Sequence, residues 1–175
     1  GVGVASGSDA LMLSLKSLGI GKGDEVITVA NTFISTADAI SHSDATPVLV
    51  DIDPETYNVD PFKIEKRITK KTKAILVMHY GGYPCDMKSI MGVAKRYGLF
   101  VIEDAAHAPG SEYQGKKCGA IGDMGCFSFF SNKNLVTGEG GMVVTQKKEW
   151  AEKIRKMRSH GMKALSWDKF HGHLS

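Results

Sequence analysis

Short apolar runs alternate with amphipathic stretches along most of the chain. Leu11, Leu15 and Leu18 recur at helical spacing after Gly7-Ser8-Asp9, a run suited to capping a helix, and Gly19 ends that helix. Residues 25–29, 47–52, 73–79 and 99–104 read as strands, with 126–130 and 142–145 as two more. Helical patterns fall between them at 35–42, 61–68, 86–97 and 148–158. Pro61 suits a first helical turn. In 86–97, Met87, Ile90, Met91 and Ala94 face inward and Gly98 is the stop. No strand is visible before Gly7. This βαβα order predicts a single α/β domain, a three-layer αβα sandwich around a mostly parallel sheet.

Such sheets bind ligands beyond the carboxyl ends of their strands, so polar clusters there carry the chemistry. Gly7-Ser8-Asp9-Ala10 opens a helix whose free amides and dipole can hold a phosphate. An ordinary cap is the simpler reading of those residues alone. Gly1, Gly3 and Gly7 form GxGxxxG, one residue longer than a dinucleotide fingerprint, and no GxxxxGK[ST] occurs. Asn31-Thr32-Phe33 follows a strand, where an aromatic can stack on a flat ring or simply fill the core. Asp104, in Glu103-Asp104-Ala105-Ala106-His107-Ala108, ends a buried run at high cost unless it meets a cation. A helix cap is the plainer alternative for Asp104, but the small alanines leave room for something bulky. Lys133 sits between the aromatic strand Phe127-Ser128-Phe129-Phe130 and the turn Thr137-Gly138-Glu139-Gly140-Gly141. A partly buried lysine there is a candidate nucleophile.

Composition narrows the class. With 42% hydrophobic and 23% charged residues the chain matches soluble globular domains. A net charge of +3 on scattered lysines suits an anionic small molecule and is too weak to argue for nucleic acid. Three cysteines, Cys85, Cys118 and Cys126, form no CxxC pair, which points to a reduced, cytoplasmic setting. No apolar run approaches the roughly 18 residues of a membrane helix. His42, His79, His107 and His160 read as isolated, HExxH is missing, and His171-Gly172-His173 falls in a tail without other ligands, so no metal is expected. The lack of an initiator Met and the irregular last residues suggest a segment of a longer protein.

One cofactor accounts for all four clusters. Pyridoxal 5′-phosphate (PLP) has a phosphate for the helix N-terminus and Ser128, a flat ring for Phe33, a basic ring nitrogen for Asp104 and an aldehyde for Lys133. The stretches GSDAL (7–11), NTF (31–33), DID (51–53), HYGG (79–82), EDAAHA (103–108), FSFFSNKNLVTGEGG (127–141) and RSHG (158–161) resemble the DegT/StrS-type sugar-nucleotide aminotransferases. Those enzymes have the fold of aspartate aminotransferase. The resemblance spans nearly the whole chain. It implies that Lys133 carries the cofactor as a Schiff base, that Asp104 pairs with the pyridinium nitrogen and that Phe33 stacks on the ring. It implies that Ser8, Asp9 and Ser128 lie on the phosphate, Ser8 and Asp9 through backbone amides, and that His107 sits near the cofactor's phenolic oxygen. By the same resemblance, residues 1–175 are an incomplete PLP-binding large domain, with a helical N-terminal segment and a C-terminal small domain outside it. Implied partners are a nucleotide sugar, a glutamate or glutamine amino donor, and a second subunit in a homodimer. Two other functions compete with aminotransfer. A sugar dehydratase of this family has His in place of the lysine, against Lys133. A PLP-binding regulator without activity fits poorly with an intact Lys133, Asp104 and Ser128 set.

Overall fold

The computed structural model describes residues 1–162, so the His171-Gly172-His173 run lies outside them. The strands are β1 (Val2–Val4), β2 (Glu25–Val29), β3 (Thr46–Val50), β4 (Thr72–Met78), β5 (Phe100–Asp104), β6 (Glu112–Tyr113), β7 (Lys116–Lys117), β8 (Met124–Ser128) and β9 (Gly141–Val144). The helices are α1 (Gly7–Ser17), α2 (Ile34–Ser41), α3 (Pro61–Glu65), α4 (Met87–Tyr97) and α5 (Lys148–Met157). Seven strands form one sheet in the order β1-β9-β8-β5-β4-β2-β3. Pairing is parallel from β3 through β8 and antiparallel at β9 and β1.

Both faces of the parallel strands are apolar because both are covered. Val26, Ala74, Leu76 and Ile102 pack with Leu11 and Leu15 of α1, Ile40 of α2 and Ile154 of α5. Their strand neighbours Ile27, Ile75, Val77 and Val101 pack with Ile64 of α3 and Met87 and Ile90 of α4. Each fully buried Leu or Ile contributes roughly 1.5–3 kcal/mol. The result is the expected three-layer sandwich.

Four local expectations change. Ser6, not Gly7-Ser8-Asp9, caps α1, its hydroxyl accepting from the Asp9 amide at 3.1 Å. A strand does precede Gly7: β1 pairs antiparallel with β9, and three residues are too few to display a period. The hairpin β6-β7 was not anticipated, for the same reason. On α4, Val93 rather than Met91 joins the fully buried face.

Successive residues of β5 point to opposite faces, so Glu103 and Asp104 have different tasks. The buried Glu103 carboxylate accepts from the amides of Gly119 (2.7 Å), Ile121 (2.8 Å) and Gly122 (2.6 Å). It also accepts from His79 Nε2 at 3.0 Å. The Cys85 amide donates to His79 Nδ1 at 3.1 Å, so the ring proton sits on Nε2. His79 is therefore not isolated; it and Glu103 pin the 119–122 loop to the sheet. Burial pushes the Glu103 pKa up, but His79 and the loop amides outweigh it and hold the group below the usual range. Glu103→Ala strands these donors and is expected to cost about 3–5 kcal/mol in chemical denaturation at neutral pH. The wild-type advantage is complete above the unfolded carboxylate pKa and fades as pH falls through the lower folded value. Equal denaturation midpoints for both proteins at neutral pH would remove this role.

Candidate active site

The carboxyl ends of β4, β5 and β8 and the N-terminal ends of α1 and α2 frame a cleft of about 400 Å³. Asp104 lies at its floor and is only 5% exposed. One carboxylate oxygen accepts from the Thr36 hydroxyl at 3.0 Å and the other from the Ala106 amide at 3.1 Å. Burial raises the Asp104 pKa despite these two donors and the nearby His107 and Lys133. A cation in the cleft would reverse that push.

Helix α1 points its first turn at the same space. Gly7 and Ser8 line the cleft, and their amides have no carbonyl one turn earlier to bond. Ser128 ends β8 beside them. A Cβ on Gly7 would lie 2.7 Å from that of Ser128, so glycine permits this close approach. The Ser8 hydroxyl donates to Ser35 Oγ at 2.9 Å, across to α2. Asp9 does not line the cleft, and its amide is already committed to Ser6. Of the two backbone amides expected at a phosphate, that of Ser8 therefore faces the cleft and that of Asp9 caps the helix with Ser6.

Lys133 follows a turn in which its amide donates to the Phe130 carbonyl at 2.9 Å. Its ammonium lies 3.1 Å from His107 Nε2 and 5.8 Å from the centre of the Phe33 ring. Burial, then the Lys133 charge, holds the His107 pKa below its usual value. A neutral His107 accepts from Lys133 through Nε2 and carries its proton on Nδ1. Phe33 precedes α2 and is 63% exposed, so its ring is a wall of the cleft and not part of the core.

Six of the seven residues singled out in the sequence thus share one cleft: Ser8, Phe33, Asp104, His107, Ser128 and Lys133. Sequence reading missed Ser6, Ser35, Thr36 and Glu139. Thr36 left a faint signal, a polar residue at helical spacing with the apolar Ala39 and Ile40. The donor set fits PLP: free helix amides and a hydroxyl, a flat aromatic wall, a buried acid in want of a cation, and an amine. Among the described residues no group of three His, Cys, Asp or Glu side chains converges as a metal site, and no helix is long and apolar enough to cross a membrane.

The model of the DegT/DnrJ/EryC1/StrS aminotransferase family matches residues 1–175. Over 169 residues the chain is 52% identical to the spore coat polysaccharide biosynthesis protein SpsC of Bacillus subtilis, covering 97% of this chain and 43% of that protein. It is 51% identical over 172 residues to the UDP-N-acetyl-3-dehydro-alpha-D-glucosamine 3-aminotransferase of Acidithiobacillus ferrooxidans, covering 98% of this chain and 46% of the relative. The crystal structure of S. venezuelae DesV in complex with a ketimine intermediate matches with a TM-score of 0.91 at 45% identity, over 94% of this chain and 45% of that one. The chain spans less than half the length of each of these proteins. With the family model matched from end to end, this chain belongs to the DegT/DnrJ/EryC1/StrS aminotransferase family.

Proposed function

We propose that the chain is the PLP-binding large domain of an aminotransferase that moves an amino group from glutamate or glutamine to a keto carbon of a nucleoside-diphosphate sugar. One observation carries this reading: a buried acid, a lysine held by a histidine, an aromatic wall and a helix N-terminus with a serine converge on one cleft. A relative named for a 3-amino transfer to a UDP-sugar supports the substrate class. The three free, buried thiols agree with a cytoplasmic setting, and a homodimer is part of the proposal.

When bound, PLP supplies an electron-poor ring that takes up the electron pair left as an amino acid loses its Cα proton. The chain's residues do the rest. Ser128 and the Gly7 and Ser8 amides bind the phosphate. Phe33 covers one ring face and keeps water from it. Asp104 keeps a proton on the ring nitrogen. Lys133 Nζ carries the proton between the donor Cα and the cofactor carbon. His107 Nε2 accepts from Lys133 and holds that amine over the cleft. Lys133 separates this reading from a dehydratase.

The test supplies PLP, glutamate or glutamine, and a panel of nucleotide-linked keto sugars to the intact protein. Mass spectrometry is expected to find an amino sugar, with loss of the pyridoxamine absorbance when the matching sugar is added. No amino sugar from any member of the panel would overturn the proposal.

A further inference from the structure

We propose that Thr36, backed by Thr32, is a positioning residue that fixes the Asp104 carboxylate with its open side toward the cofactor's ring nitrogen; this rests on the functional reading above. Thr36 is fully buried on α2. A buried hydroxyl within a helix commonly turns back to the carbonyl four residues earlier. Ser14 does so to Ala10 at 2.7 Å, and Ser43, just past α2, does so to Ala39 at 2.8 Å. Thr36 instead donates out of its helix to Asp104 Oδ2 at 3.0 Å.

The direction of that bond is set by Thr32. Its hydroxyl lies 2.7 Å from Thr36 Oγ1 and 3.2 Å from Met78 Sδ. A hydroxyl has one proton, and the thioether is the weaker acceptor. Thr32 therefore donates to Thr36, and the Thr36 proton goes to Asp104. The Ala106 amide holds the other carboxylate oxygen. With one donor on each oxygen the carboxylate plane is fixed. An ionised carboxylate accepts about four hydrogen bonds, so lone pairs remain for a donor in the cleft. Thr36 also opposes the burial that favours the neutral acid. A neutral Asp104 would not keep the ring nitrogen protonated.

Thr36→Val keeps the shape and removes only this donor, while Thr36→Ser keeps the hydroxyl. Both are compared with Asp104→Asn in the intact protein, loaded with PLP. Readouts are the pH titration of the bound cofactor's absorbance, PLP affinity, and kcat and KM. Thr36→Val is expected to shift the absorbance titration in the same direction as Asp104→Asn, by less. It should lower kcat roughly tenfold, the scale of one charge-assisted hydrogen bond, with little change in KM for the amino donor. Thr36→Ser should restore most of both. The inference fails if Asp104→Asn shifts the titration and Thr36→Val does not. It also fails if Thr36→Ser is as impaired as Thr36→Val, since packing would then explain the loss. No shift with Asp104→Asn would instead overturn the assignment of Asp104 to the ring nitrogen.

Discussion

Lys133→Ala in the intact protein is expected to lower transamination by about 10⁴-fold, with the fold retained. Among the described residues Lys133 is the one lysine that lines the cleft, so no neighbouring amine can substitute. Its side chain is half-buried at a loop, and its removal opens no core cavity. The reaction needs an amine that bonds the cofactor and then handles the Cα proton. Lys133→Arg should be nearly as inactive. A guanidinium keeps a donor for His107 and a cation near Phe33, but it stays protonated and is no nucleophile. Borohydride reduction of the PLP-loaded wild type, followed by peptide mapping, should place the cofactor's mass on Lys133. A label on another lysine would refute the assignment.

Asp104→Asn is expected to reduce kcat on the order of 10³-fold while PLP remains bound. An amide has no charge with which to hold a protonated ring nitrogen, so the ring becomes a poorer electron acceptor. Asn is a better probe than Ala. Removing the whole carboxyl group would leave the Thr36 hydroxyl and the Ala106 amide without their acceptor at the floor of the cleft. Asn retains one oxygen for one of them, so a fall in turnover reads as lost electrostatics and not as lost fold. Exchange of the donor's Cα hydrogen with deuterated solvent should slow with kcat. Near-normal kcat and exchange with cofactor bound would remove Asp104 from the chemistry.

The helix and strand periods, and hence the covered parallel sheet, were legible along the chain because they are local. Leu11 and Leu15 repeat at helical spacing, and the run 99–102 is apolar because both sides of β5 are covered. Lys133 and Asp104 were legible as well: a lysine before GEGG and an acid closing an apolar run are costly arrangements that call for a partner. The sequence could not tell which donor each of these groups meets. Thr36 and Asp104 are 68 residues apart, and His107 and Lys133 are 26 apart. Glu103 and Asp104 look alike in the chain, yet the strand's alternation sends one to a structural loop and the other to the cleft. The Asp9 amide donates to Ser6, a residue outside the cap expected from the sequence. β1 acquired its identity only through β9, about 140 residues later, because three residues carry no period of their own. The sequence by itself determined the layers and marked the candidate site residues, through local patterns of apolar side chains and charge. The tertiary structure alone decided which oxygen, amide or ring each reactive group meets, because a hydrogen bond is set by distance and angle between segments that folding brings together.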